Sequence, residues 1–337
     1  MHFALYRSER PETFEEMIGQ KHIVKILQNQ LRTGTVNQAY LFTGIRGTGK
    51  TTTARILAKA LNCTGDGEQL PCGKCENCKA IRDGKYMDVI EIDAASNNKV
   101  DDIRSLIDSV YYPPVLGKYK IYIIDEVHML TDSAENAFLK TLEEPPEYVT
   151  ILLLASNPQK FLPTILSRVV QWKIKPVAQE KIVSLLVSKY EVEESKAEFC
   201  AGFSMGNIGK AIRLATVPDY QEIYDFCIHL LKYIHEMPVH EIIYAMKDLS
   251  KHKLKINEYL DFIMVWYRDV LMLKATNNPN KILFKKEYKD ISKQSQRSSF
   301  EGLEHIITAI DKAKQRLDAN VNFDIAMELL MLTIKEN

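Results

Sequence analysis

The chain has 337 residues, which at roughly 150 residues per domain predicts two or three domains. Its 44 basic and 44 acidic residues leave a formal net charge of zero, which excludes a histone-like protein that binds nucleic acid by global charge. A composition that is 46% hydrophobic and 26% charged excludes a disordered or fibrous chain. The sequence shows neither a membrane-length apolar run nor a secretory N-terminus, so we expect a cytoplasmic protein with no membrane partner.

The first half of the chain alternates strand and helix patterns. Continuous apolar strands that alternate with helices predict a parallel sheet with helices on both faces, so we expect an α/β domain over residues 1–176. Only helical patterns follow, and we expect helical domains over 177–232 and 233–337. The predicted strands cover residues 39–43, 87–92, 120–125 and 150–155. The predicted helices include residues 50–61, 179–190, 195–203, 241–249, 256–276, 300–317 and 324–335.

A glycine-rich loop joins the first strand to its helix. Residues 44–51 read G-I-R-G-T-G-K-T, which fits the phosphate-binding pattern G-x-x-x-x-G-K-[ST] in the context it requires. Backbone N–H groups and the helix dipole would bind phosphate, Lys50 would reach the β- and γ-phosphates, and the Thr51 hydroxyl would ligate magnesium. The predicted phosphate-binding residues are Gly44, Gly47, Thr48, Gly49, Lys50, Thr51 and Thr52.

Two acids end the strand at 120–125. Ligands of open α/β sheets bind at the carboxyl ends of the strands, so Asp125 and Glu126 should lie beside the phosphate loop. Asp125 is the predicted magnesium partner, and Glu126 is placed to polarise an attacking water. The loop and the acids together predict hydrolysis of a nucleoside triphosphate.

Four cysteines form a compact group between that loop and the next strand. Cys63 precedes a Cys-x-x-Cys-x-x-Cys run formed by Cys72, Cys75 and Cys78, and the insertion covers about residues 62–79. Four thiolates favour a closed structural zinc site. An iron–sulfur cluster and reduced, metal-free thiols are the alternatives.

Several stretches resemble the gamma/tau subunits of bacterial DNA polymerase III, which are AAA+ ATPases of the clamp loader. The resemblance is dense over about residues 4–172 and diffuse beyond it. The matching stretches are residues 4–7, 10–14, 18–20, 44–58 with the four cysteines, 91–98, 100–104, 123–130, 139–146, 158–160 and 165–168.

The resemblance implies an AAA+ fold with a helical lid at 177–232 and a helical collar at 233–337 that joins subunits into a ring. It implies ATP-driven loading of a sliding clamp onto primed DNA, with other clamp-loader subunits as partners. Arg168 matches the arginine finger that acts on ATP held by a neighbouring subunit. Asn157 or Ser156 matches the polar sensor of the γ-phosphate. The stretch against the adenine is matched by Tyr6, Arg7, Ile18, Gly19 and Gln20.

Two departures leave alternatives open. The family usually carries an arginine in the lid at the place of Gly209, and Arg213, one helical turn further on, is a candidate substitute. Gly209 and the short chain favour a stator of the delta-prime type, whereas the phosphate loop and both acids favour the motor. A non-replicative AAA+ ATPase that remodels DNA and a nucleotide-binding scaffold without hydrolysis are further alternatives.

Overall fold

The computed structural model describes residues 10–65, 69–96, 100–156, 163–251 and 253–337. The chain divides into two compact units. Met1–Leu185 and Ser204–Lys210 form the first, and Leu186–Phe203 and Ala211–Asn337 form the second. The bounds of the three domains expected from the sequence stay a prediction.

Strands and helices alternate through the first unit, as the apolar runs predict. The strands are β1 Ala39–Thr43, β2 Val89–Asp93, β3 Lys120–Asp125, β4 Val149–Ala155 and β5 Val170–Lys173. The helices are α1 Lys21–Thr33, α2 Lys50–Leu61, α3 Glu76–Arg82, α4 Val100–Val110, α5 Asp132–Glu143 and α6 Pro163–Leu166, and α7 Gln179–Tyr190 begins in this unit.

Within the described residues, five strands form one parallel sheet in the order β2-β3-β4-β1-β5. Successive side chains of a strand point to opposite faces, and the apolar residues accordingly divide into two buried clusters. Leu41, Tyr122 and Leu153 belong to one cluster, and Phe42 and Ile123 belong to the other. The predicted parallel sheet with helices on both faces is therefore confirmed.

The strand register sets the position of the candidate site. Thr43 pairs with Ala155, and Asp93 pairs with Asp125, so these strands end at one edge of the sheet. The phosphate loop follows Thr43 and the two acids lie at the end of β3, so both parts of the site emerge there.

The second unit is helical in its described residues, in agreement with the patterns after residue 177. The rings of Phe203 and Phe262 pack with centroids 4.3 Å apart, and buried Trp266 donates from Nε1 to Oε1 of Gln294 at 2.8 Å. None of the helices among the described residues combines the length and the apolar character that a membrane span requires. Besides the end of α7, the helices that lie wholly or in part in this unit are α8 Glu194–Ser204, α9 Ile208–Thr216, α10 Asp219–Tyr233, α11 Val239–Lys251, α12 Ile256–Thr276, α13 Tyr288–Arg297, α14 Phe300–Asp318 and α15 Phe323–Glu336.

One buried carboxylate fixes the loop that leads into β3. Asp88 is 1% exposed and accepts hydrogen bonds from the backbone N–H groups of Val115, Leu116 and Gly117, each at 2.7 Å. Burial alone would raise the pKa of Asp88, but the three donors outweigh it and hold the pKa below its usual value. The folded chain therefore favours the ionised form.

We expect Asp88→Asn to lower the free energy of unfolding by about 2 kcal/mol at neutral pH, because an uncharged amide with one acceptor oxygen replaces the carboxylate. Since the pKa of Asp88 is lower in the folded than in the unfolded chain, wild type should lose this stabilisation as the pH falls below roughly 4. Urea unfolding as a function of pH measures both effects, with the exposed Asp83→Asn as control. If the free energies of unfolding of wild type and Asp88→Asn changed in parallel with pH, the result would contradict this account.

Candidate functional site

The phosphate loop begins where buried β1 ends. The N–H of Gly44 donates to the carbonyl oxygen of Ala155 at 3.2 Å, which ties the loop to β4. Gly44, Gly47 and Gly49 have φ of 151°, 81° and 105°, values that disfavour residues with a Cβ. A Cβ on Gly44 would lie 2.4 Å from the carbonyl oxygen of Ile174, so a larger residue does not fit there. The loop has the strand–loop–helix context that phosphate binding requires.

Two threonines support the same loop. Thr48 is 7% exposed, and its Oγ1 donates to the carbonyl oxygen of Ile45 at 2.8 Å. This bond closes a tight turn ahead of α2. Thr52 is partly buried in the first turn of α2, where the helix dipole favours an anion.

Lys50 is the first residue of α2 and is 5% exposed. Its Nζ donates to the carbonyl oxygens of Gly44 at 2.8 Å and Ile45 at 3.3 Å. Burial lowers the pKa of Lys50, and the carboxylates of Glu126 and Asp125 act in the opposite direction. The ammonium group therefore lies inside the loop near both predicted acids, where it can pair with phosphate oxygens.

Thr51 and Asp125, the two predicted magnesium ligands, are in contact. The Thr51 Oγ1 donates to Oδ2 of Asp125 at 2.8 Å, and the other oxygen of Asp125 accepts the N–H of Glu126 at 2.9 Å. Magnesium prefers oxygen ligands, and a hydroxyl beside a carboxylate at a phosphate site is a suitable donor pair. These residues could hold the metal ion of a bound nucleotide.

Glu126 lies beside two polar side chains, of which Ser156 donates a hydrogen bond to it. Its Oε2 accepts a hydrogen bond from the Ser156 Oγ at 3.1 Å and lies 3.4 Å from Nδ1 of His128. The Ser156 Oγ is also 3.3 Å from Nε2 of His128. Of the two sensor candidates, Ser156 therefore lies at the acid, and Asn157 lies outside the described residues. The sequence analysis did not single out His128. The one feature that could have suggested it as a site residue is its position two residues after Glu126.

The predicted adenine contacts are only partly described. Tyr6 and Arg7 lie outside the described residues, and Ile18 is partly buried. The Gln20 side chain is engaged with the backbone of Lys175, donating to its carbonyl oxygen at 2.5 Å and accepting its N–H at 3.2 Å. Gln20 thus anchors this stretch to the segment that follows β5.

Arg168 follows the short helix α6 and is held by local partners. Its guanidinium donates to the carbonyl oxygen of Thr164 at 2.7 Å and to the Ser167 Oγ at 3.3 Å, and it pairs with Glu143. The Arg168 side chain is 31% exposed and that of Glu143 is 48% exposed. Because exposed ion pairs contribute little stability, this contact leaves Arg168 able to exchange partners.

Two residues after α8 concern the expected contact between the lid and the nucleotide. Asn207, which sequence reasoning did not single out, donates from Nδ2 to the carbonyl oxygen of Arg46 in the phosphate loop at 3.3 Å. Arg213, the candidate substitute for the lid arginine, lies in the second unit and donates to Tyr220 and Glu258 at 2.5 and 3.2 Å. A contact between Arg213 and nucleotide stays a prediction.

The four clustered cysteines have the geometry of a single-ion site. The sulfur atoms of Cys63, Cys72, Cys75 and Cys78 all lie within 4.8 Å of one another. Tetrahedral coordination with metal–sulfur bonds of about 2.3 Å requires sulfur atoms about 3.8 Å apart, and Cys63 and Cys75 are separated by 3.9 Å. One metal ion fits among these sulfur atoms, whereas a cluster with its own iron and sulfide atoms needs a wider cage.

Backbone donors lower the pKa of two cysteines in this group, whereas burial raises the pKa of Cys63. The sulfur of Cys72 accepts N–H groups from Lys74 at 3.4 Å and Cys75 at 3.3 Å, and the pKa of Cys72 is lowered. Burial acts to raise the pKa of Cys75, but N–H and hydroxyl donors outweigh it and lower the pKa to about 6. Burial raises the pKa of Cys78. A cation at the centre would favour the thiolate form at every position.

We expect the purified chain to contain about one zinc ion, measured by mass spectrometry of the metals, because the four sulfur atoms form a closed site. Cys75→Ser should abolish this stoichiometry and lower the free energy of unfolding by several kcal/mol, since binding of a structural metal contributes directly to folding. Cys200→Ala removes a buried thiol outside the group and should retain the zinc. Iron with visible absorption, or reduced protein without metal, would contradict the prediction.

Comparison with known proteins gives consistent matches. Residues 19–178 match the family model described as "DNA polymerase III, delta subunit", and residues 230–336 match "DNA polymerase III, delta subunit, C terminal". The DNA polymerase III subunit gamma of Buchnera aphidicola subsp. Schizaphis graminum is 31% identical over an alignment of 354 positions, gaps included, which covers 97% of this chain and 96% of that protein.

Two further similarities cover less of the chain. The DNA polymerase III subunit tau/gamma of Haemophilus influenzae is 53% identical over 178 residues, which cover 53% of this chain and 26% of that protein. This chain therefore spans about a quarter of the length of that relative. Among solved structures, the RuvB Holliday junction branch migration motor of Thermotoga maritima has a TM-score of 0.46 and 19% identity over 67% of each chain.

Proposed function

Because the chain belongs to the family of DNA polymerase III gamma and tau subunits, we propose that it is the motor subunit of a cytoplasmic clamp loader. In this role it binds and hydrolyses ATP to load a sliding clamp onto primed DNA, within a ring of clamp-loader subunits. The supporting observation is the assembly of Lys50, the Thr51–Asp125 pair and Glu126 at one edge of the sheet.

Each of these side chains has a defined task in the proposed reaction. The Lys50 ammonium pairs with the β- and γ-phosphate oxygens, and Thr51 with Asp125 holds magnesium, which would neutralise charge on the transferred phosphoryl group. Glu126, held by the hydrogen bond from Ser156, orients the attacking water and accepts its proton.

A residue supplied by another subunit completes the proposed site. Arg168 leaves Glu143 and donates to the γ-phosphate of ATP that the neighbouring subunit holds, where its planar guanidinium stabilises the transition state. ATP binding thereby favours the closed ring that holds clamp and DNA, and hydrolysis releases them. The cysteine group holds a structural zinc ion and takes no part in the chemistry.

A stator of the delta-prime type is the alternative within the family, favoured by Gly209. A phosphate-release assay with partner subunits, clamp and primed DNA separates the two roles. The motor hydrolyses ATP in a magnesium-dependent reaction that clamp and DNA accelerate. A chain that joins the complex but adds no turnover of its own would be a stator or a scaffold.

A further inference from the structure

Asn207 joins the phosphate loop to the first turn of α9. Its Nδ2 donates to the carbonyl oxygen of Arg46 at 3.3 Å, across 161 residues of sequence. Its Oδ1 accepts the N–H of Lys210 at 2.9 Å, so the same side chain caps the helix. All three residues belong to the first unit. A single carboxamide therefore links the loop and the helix.

The carboxamide also packs directly on the backbone of the loop. A Cβ added to Gly47 would lie 2.0 Å from Nδ2 and 2.4 Å from Cγ of Asn207. Gly47 is therefore required both for its φ of 81° and because Asn207 occupies the space that a side chain would need. The shape of the loop and the position of Asn207 depend on each other.

The backbone around Asn207 fixes this position. Gly206 has φ of 87°, and a Cβ there would lie 2.5 Å from the Pro176 Cβ and 2.8 Å from the Val177 nitrogen. The N–H of Val177 donates to the carbonyl oxygen of Gly206 at 3.2 Å, and the N–H of Asn207 donates to the carbonyl oxygen of Ser204 at 3.0 Å. Asn207 is thus placed against the loop by the fold of its own segment.

We propose that Asn207 is a positioning residue of the nucleotide site, which holds the phosphate loop in its binding shape and links its occupancy to α9. The proposal rests on ATP binding at this loop. A primary amide has two N–H donors, so the group that holds Arg46 can also donate to a phosphate oxygen. Helix α9 begins directly after Asn207, so a displacement of Asn207 acts on the first turn of that helix.

Two substitutions separate this role from simple helix capping. Asn207→Ser retains an oxygen that can accept the N–H of Lys210, but its hydroxyl is too short to reach Arg46. We expect Asn207→Ser and Asn207→Ala each to weaken the Kd for magnesium-ATP about fivefold, which is one lost hydrogen bond. Calorimetric titration measures the Kd, and thermal unfolding confirms that each variant is folded.

If Asn207 only caps helix α9, Asn207→Ser should bind ATP with the wild-type Kd. That result would overturn the proposal and leave the proposed function intact. If wild type fails to bind ATP, the proposed function fails and this proposal with it.

A double substitution tests the contact with Gly47 itself. Gly47→Ala alone should weaken ATP binding because the methyl group overlaps Asn207, and adding Asn207→Ala removes the overlap. We therefore expect the double variant to lose less affinity than the product of the two single losses. Independent effects on Kd would show that the two residues do not act together and would refute the proposal.

Discussion

Lys50→Ala is expected to lower the rate of ATP hydrolysis by about 100- to 1,000-fold and to weaken ATP binding. Removing one positioned donor that stabilises a transition state lowers a rate by this range. The buried ammonium lies in the loop, close to both acids, and Lys50→Ala removes it from there. Phosphate release and equilibrium titration with magnesium-ATP measure the two effects.

The control for Lys50 is an equally charged residue outside the site. Lys25 is exposed on α1, and Lys25→Ala should leave both hydrolysis and binding unchanged. Lys50→Ala also leaves two loop carbonyls without their donor, which should cost about 1 kcal/mol of stability, and thermal unfolding detects that. Normal hydrolysis by folded Lys50→Ala would eliminate the motor role.

Arg168→Ala should abolish the ATP hydrolysis that clamp and DNA stimulate in the assembled complex. It should not change the affinity of the chain itself for ATP. In the assembled complex we expect hydrolysis to fall about 1,000-fold, because an arginine supplied from a neighbouring subunit stabilises charge on the transferred phosphoryl group. In the isolated chain the Kd for ATP should stay at the wild-type value. Stability should change little, since the pair with Glu143 is exposed.

Two matched variants show whether the effect belongs to Arg168 itself. Arg32→Ala removes a surface arginine on α1 that donates to Asn29, and it should retain full activity. Glu143→Gln frees Arg168 from its ion pair and should not lower the rate. If Glu143→Gln lost as much activity as Arg168→Ala, the ion pair would be needed as a structural contact. Full activity of Arg168→Ala would refute the proposal that Arg168 acts on ATP held by a neighbouring subunit.

Most of the fold and of the chemistry of the site could be predicted from local sequence patterns. The apolar runs predicted β1 and β3 at their observed bounds because buried parallel strands have continuous apolar sequences. The residues of the phosphate loop are contiguous in sequence, and so are the two acids at the end of β3. The strand ends bring these two segments together. Strand β5 and helix α1 are among the elements that went unpredicted. Strand β5 is four residues long and alternates at an outer position of the sheet, which is a weak signal.

Contacts between distant segments could not be predicted from the sequence. Gln20 binds the backbone of Lys175 across 155 residues, and Asn207 binds that of Arg46 across 161. Polar side chains that bond to backbone groups leave no pattern in one sequence, because any residue can supply the partner. The place of His128 beside Glu126 and Ser156 likewise depends on how β3 and β4 end together.

The most direct measurement is a crystal or cryo-EM structure of the chain with magnesium and a slowly hydrolysed ATP analogue. We expect density for the triphosphate within the loop from Gly44 to Thr51, with the Lys50 Nζ moved from the Gly44 carbonyl to phosphate oxygens and the metal bound at Thr51 and Asp125. A loop that stays closed on Lys50 at saturating analogue, or nucleotide bound only elsewhere, would contradict the account.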